Sequence, residues 1–174
     1  LITSIDIQNE IMTNIIVNNK EINQKNIDNS KNYAIQNLIN KSIKQNEIKK
    51  YEVTSYNKKD LDKYIINIAN NLSIDQKELK NLFKQNGLDY ESFVEKHKTE
   101  LLWNSLIFKL YKNQTNINIV DVENEINKVK SKMSDEEVKK IRKKILDQKK
   151  EEKLNLFSRS HYSSLENTVI IDFQ

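Results

Sequence analysis

The chain has 174 residues, no cysteine, no proline and one glycine, Gly87, with 31% charged and 37% apolar residues and a net charge of +4. Such a length fits one domain, or one domain with an appended arm. The missing cysteines exclude disulfide and thiolate chemistry, a single glycine excludes a P-loop or a G-x-G-x-x-G turn, and no apolar run approaches the roughly 18 residues of a membrane span.

Helices are expected almost throughout, because few breakers interrupt the apolar periodicity. "TSIDIQNEIMTNIIVNN" opens on a Thr3-x-x-Asp6 capping pattern and sets Ile7, Ile11, Met12, Ile15 and Ile16 on one face. "KEINQKNIDNS" reads as a polar connection, after which Ile35, Leu38, Ile39 and Ile43 repeat the helical spacing. Asn57 is the expected cap of the next helix, with Leu61, Tyr64, Ile65 and Ile68 inward. Ser73 and Gln76 form a capping box ahead of Leu79, Leu82 and Phe83, and Gly87 falls where a left-handed residue ends a helix.

The most apolar helix is "DYESFVEKHKTELLWNSLIFKLYK", carrying Phe93, Leu101, Leu102, Leu106, Ile107 and Leu110. Phe93, Trp103 and Phe108 are expected in the core. "NINIVDVENEINKVKSKM" follows with Val122, Ile126 and Val129 inward. A Ser134-x-x-Glu137 box starts the last helix, where Val138, Ile141 and Ile145 continue to Leu154 and Phe157. The final "NTVIIDFQ" has the β-branched and aromatic composition of a strand. The expected fold is therefore mainly α: a compact helical bundle, residues 1–115, then residues 116–174 as a basic helical arm whose closing strand packs back on it. A small β element pairs the chain termini.

Residues 128–153 hold eleven Lys/Arg and six Asp/Glu, so the basic surplus belongs to this one segment. Its cations are interleaved with Asp135, Glu136, Glu137, Asp147, Glu151 and Glu152, and no aromatic stacking platform lies among them. A solvated helical face is the plainer reading, with a basic nucleic-acid binder as its rival. His97 and His161 are the only histidines and stand in neither metal-ligand nor triad spacing. Carboxylate pairs such as Asp60/Asp62 and Glu151/Glu152 sit beside lysines as helix-surface partners. No enzyme, cofactor or metal is expected.

The aromatic residues are the remaining signal. Tyr33, Tyr51, Tyr56, Tyr90, Tyr111 and Tyr162 fall near expected helix ends or loops. Each offers apolar contact area with a wet tip, which suits a groove for an extended or unfolded chain as well as it suits packing.

The order of parts is what identifies a family. "LITSIDIQNEI", "AIQNLINKSIKQNEIKKYEV" and "NKKDLDKYIINIANNLSIDQKELKNLFKQNGLDYESFVEKHKTELLWNSLI" together resemble the N-terminal chaperone domain of the SurA family. The tail "ILDQKKEEKLNLFSRSHYSSLENTVIIDF" is similar to that family's C-terminal helix and closing strand. The family carries one or two parvulin-type prolyl isomerase domains between these parts. Here "NKVKSKM" passes directly to "SDEEVKKIRKK", which leaves no room for one.

The resemblance implies an ATP-independent periplasmic holdase that binds unfolded outer-membrane proteins without prolyl isomerase activity. It also implies that the final strand pairs with a strand near the N terminus, of which only "LIT" is present. A shortened first strand favours exchange of the terminal segment between two molecules, hence a homodimer. A structural or dimerising helical protein is a further alternative.

Overall fold

The structure, a computed structural model, describes residues 2–129 and 133–169. Its described residues form α1 (Ser4–Val17), α2 (Gln24–Lys50), α3 (Lys58–Asn71), α4 (Gln76–Gln85), α5 (Tyr90–Tyr111), α6 (Ile119–Val129) and α7 (Asp135–Glu166), with a 3-10 turn at Lys112–Gln114. The mainly α class expected from the sequence is what is found. Two compact units divide the chain, Leu1–Ser105 and Leu106–Gln174, so the division falls inside α5 and not at residue 115.

In the first unit α1 packs along α2, and α3 packs on α4. Ile11 and Ile15 of α1 bury against Ala34 of α2, with Ile7 and Ile27 at the edge. A larger core joins Ile16, Leu61, Ile65, Ala69, Leu79, Phe83, Leu88 and Phe93. In the second unit α6 packs on α7 through Val122 and Ile126, which are fully buried. α7 runs 32 residues without a single buried side chain. It shows instead a half-buried stripe through Val138, Ile141, Ile145, Lys149, Lys153, Phe157, His161 and Leu165.

Four helices stop in the same way. After α1, α2, α3 and α4 the chain turns through a left-handed residue: Asn19 (φ 51°), Glu52 (φ 53°), Ser73 (φ 58°) and Gly87 (φ 68°). In each, the next N–H reaches back five residues into the helix: Lys20 to Ile15, Val53 to Ile48, Ile74 to Ala69 and Leu88 to Phe83, all between 2.9 and 3.1 Å. This is the Schellman closure, which normally calls for glycine at the left-handed position. With one glycine in the chain, three of the four ends use Asn, Glu or Ser.

Several expectations are corrected. The box at α4 is Asp75 with Glu78, not Ser73 with Gln76, because Ser73 is already the left-handed residue that ends α3. The polar stretch 20–30 is not all connection: Asn23 caps α2, which begins at Gln24 and buries Ser30. Phe108 is 54% exposed and Val129 46% exposed, so neither belongs to the core. No strand is found among the described residues. Thr3 is the N-cap of α1 and Ile2 stands in no strand, while Leu1 lies outside the described residues; Val169 follows the end of α7 as exposed chain. The rest of the expected closing strand, residues 170–174, lies outside the described residues.

Candidate functional site

In the first unit an aromatic row runs across three helices. Phe83 of α4 meets Phe93 and Tyr90 of α5 at centroid distances of 4.8 and 5.7 Å. Phe93 continues to His97 at 5.0 Å, and His97 lies on Tyr64 of α3 at 3.6 Å. Burial holds the His97 imidazole neutral, depressing its pKa to about 4, and the neighbouring Lys96 ammonium adds to the effect. Burial likewise raises the phenols of Tyr64 and Tyr90 above their ordinary value.

The six candidate tyrosines do not converge on one groove. Tyr33 is exposed on α2, Tyr51 caps the end of α2 under Lys50, and Tyr56 packs its ring against the larger core. Tyr111 and Tyr162 belong to the second unit. There Tyr111 stacks on Phe157 with centroids 4.8 Å apart, and its hydroxyl shares a hydrogen bond of 2.8 Å with Nδ1 of His161.

Tyr90 is different. It lines an open groove between α4 and the start of α5, together with Leu88, Gly87, Lys80, Lys84 and Glu91. The Lys80 ammonium stands 5.5 Å above the Tyr90 ring and pairs with Glu91 at 3.3 Å. The result is a shallow, charge-rimmed groove in which Leu88 is buried and Tyr90 is the part-exposed apolar group.

A second cavity, of about 100 Å³, lies between α1, α2 and the start of α5 and was not foreseen from the sequence. Asp6, Glu10, Lys41, Asp89 and Lys96 line it. Its carboxylates have structural tasks. Asp6 accepts from the Thr3 backbone N–H, and Asp89 accepts from the Ser92 hydroxyl and the Glu91 N–H, which lower the pKa of both. Glu10 is buried against Lys96 and accepts from the Asn37 amide at 2.9 Å. A drug-sized ligand usually occupies about 300 Å³ or more, so this cavity suits water and not a substrate.

The basic helix is partly neutralised. On the α6 side, Arg142 pairs with Glu123 at 2.9 Å and Lys149 with Glu125 at 2.6 Å. Asp147 and Glu151 share the outward face with Lys140, Lys143 and Lys144. A polyanion tracking along α7 would meet those carboxylates, which weakens the nucleic-acid reading. Among the described residues no cluster of His, Cys, Asp and Glu has the arrangement of a metal site, and no helix is long and apolar enough to cross a membrane. No protein-family model, curated protein or solved structure matches the chain.

Proposed function

We propose that the chain is an ATP-independent holdase of the periplasm that binds unfolded outer-membrane proteins, as its resemblance to the SurA chaperone domain implies. It works without cofactor and without prolyl isomerase activity. The observation that carries the reading is the groove of Leu88 and Tyr90 between α4 and α5, rimmed by Lys80, Lys84 and Glu91. Leu88 is buried at its floor, so the part-exposed Tyr90 ring and the alkyl stems of Lys80 and Lys84 supply the contact area for an extended client, and the rim stays wet. Exposed apolar groups elsewhere on ordered helices, among them Tyr33 and Ile66 in the first unit and Phe108, Ile119 and Val120 in the second, add further weak contacts. Clients held this way retain much of their mobility, so affinities of roughly micromolar order are expected.

Aggregation of an unfolded β-barrel client, diluted from urea and followed by light scattering, tests the reading. The chain in several-fold excess should delay scattering without nucleotide, and a photo-crosslinker at Asn81 should capture the client. Equal scattering with and without the chain would refute it.

A further inference from the structure

A pattern on the outward face of α7 goes beyond the holdase reading and does not depend on it. Lys140, Lys144, Asp147 and Glu151 are all exposed and line one shallow groove. Their spacing of i, i+4, i+7 and i+11 at 100° per residue places them within an arc of about 60°, along about 16 Å of helix. None of the four side chains makes an ion pair or hydrogen bond among the described residues, whereas those of Arg142 and Lys149, which face α6, are both paired.

Within the helix the stripe holds both kinds of neighbour: Lys144 and Asp147 are an opposite pair at i, i+3, and Lys143 of the same groove lies i, i+4 from Asp147. Lys140/Lys144 and Asp147/Glu151 are like-charge pairs at i, i+4, the spacing at which repulsion is felt most. Reading along the stripe the signs run plus, plus, minus, minus. That sequence is its own complement when reversed. Two copies of α7 laid antiparallel, with a two-fold axis between Ile145 and Leu146, bring Lys140 opposite Glu151 and Lys144 opposite Asp147, each pair occurring twice. A parallel arrangement in the same register sets like against like, and sliding the antiparallel pair by one turn loses half or more of the matches.

We infer that this stripe is a self-recognition surface, through which two copies of the chain associate by antiparallel, two-fold α7–α7 contact. The contact is isologous, so it closes at the dimer and leaves no free complementary stripe. It has a charged centre and no apolar anchor, so association is weak and strongly dependent on ionic strength. This is a different mode from exchange of the terminal segment, which would not depend on these four side chains.

Charge reversal in two complementary variants of the full chain tests it. K140E/K144E makes the stripe wholly acidic and D147K/E151K makes it wholly basic, so each should be monomeric in sedimentation velocity where the native chain dimerises. An equimolar mixture should form a heterodimer, because every position is then matched. Dimerisation of the native chain, and of the mixture, should weaken about tenfold or more between about 20 mM and about 500 mM salt. Circular dichroism establishes that the variants keep their helix content. Should a double variant lose it, the single changes K140E and E151K, mixed in the same way, carry the test. A native chain that stays monomeric at low salt, a dimer that survives K140E/K144E, or a mixture that fails to associate would each overturn the inference.

Discussion

Glu10 on α1 and Lys96 on α5, 86 residues apart in the chain, form an ion pair whose carboxylate is buried, with the Asn37 amide of α2 as its second partner. Three helices of the first unit thus meet on one charge. Removing the cation strands that charge in a poorly solvated place, which costs more than the pair itself contributes. Lys96→Met should therefore destabilise the chain by about 2 kcal/mol, a moderate figure because Lys96 keeps some exposure and Asn37 still donates. The double change Glu10→Leu with Lys96→Met should recover part of the loss. Urea midpoints of the two single variants and the double variant measure the coupling.

His97 makes the first unit acid-sensitive. Its folded pKa of about 4 lies below the ordinary value of 6.5, so the unfolded chain takes up the proton first. The contribution of the neutral ring is complete above pH 6.5, falls as the pH drops from there toward 4, and is lost below it. With the ring only part-buried, the loss is of the order of 2 kcal/mol after allowing for solvent screening. His97→Phe keeps the contacts with Tyr64 and Phe93 and cannot be protonated. Between pH 7 and pH 4 its unfolding midpoint should fall less than that of the native chain.

The left-handed helix ends predict an inverted glycine effect. Glycine usually weakens a protein, but at φ 53° Glu52 carries a side chain where L residues are disfavoured. Glu52→Gly should stabilise by about 0.5–1 kcal/mol, a rise in Tm of a few degrees. Gly87→Ala should do the opposite by a similar amount. An added Cβ at Gly87 would meet nothing within 4 Å, so the cost there is the backbone alone. Thermal melts of both variants decide the matter.

Ser134 starts α7. Its hydroxyl accepts from the Glu137 N–H at 3.4 Å, while the Glu137 carboxylate accepts from the Ser134 backbone N–H at 2.8 Å. Ser134→Ala should cost about 1 kcal/mol and should appear first as faster amide exchange in the first turns of α7. Amides of α3 and α5 should be unaffected.

Local features were legible in the sequence because their cause lies within three or four residues. Thr3 with Asp6, Asn57, Ser134 with Glu137, and the left-handed Gly87 all stand where the pattern put them. Ser73 misled because a serine can cap a helix start or end the previous helix, and the Ile74 N–H bond to Ala69 decides for the second. The early start of α2 was hidden by residues of low helix propensity, Asn26 and Asn29 among them; packing of Ile27 and Ala34 on α1 overrides that propensity. Phe108 looked like core by residue type alone, yet it lies in solvent under the Lys112 ammonium. Pairings such as Glu10 with Lys96, and the groove that takes in Tyr90 but not the other tyrosines, depend on which helices meet. Nothing in the local sequence carries that information.

The absence of buried side chains in α7 has a dynamic consequence. A helix gains its resistance to opening mainly from the apolar surface it seals off, and this one seals only a single stripe, and that only halfway. Its hydrogen bonds should therefore break in a sub-global event well below the free energy that unfolds the first unit. On warming, α7 should release from α6 as one cooperative piece while the Phe83–Phe93 core is still closed. Its many lysines would then make it the earliest tryptic target in the molecule, cut at a rate set by that partial opening and not by global unfolding.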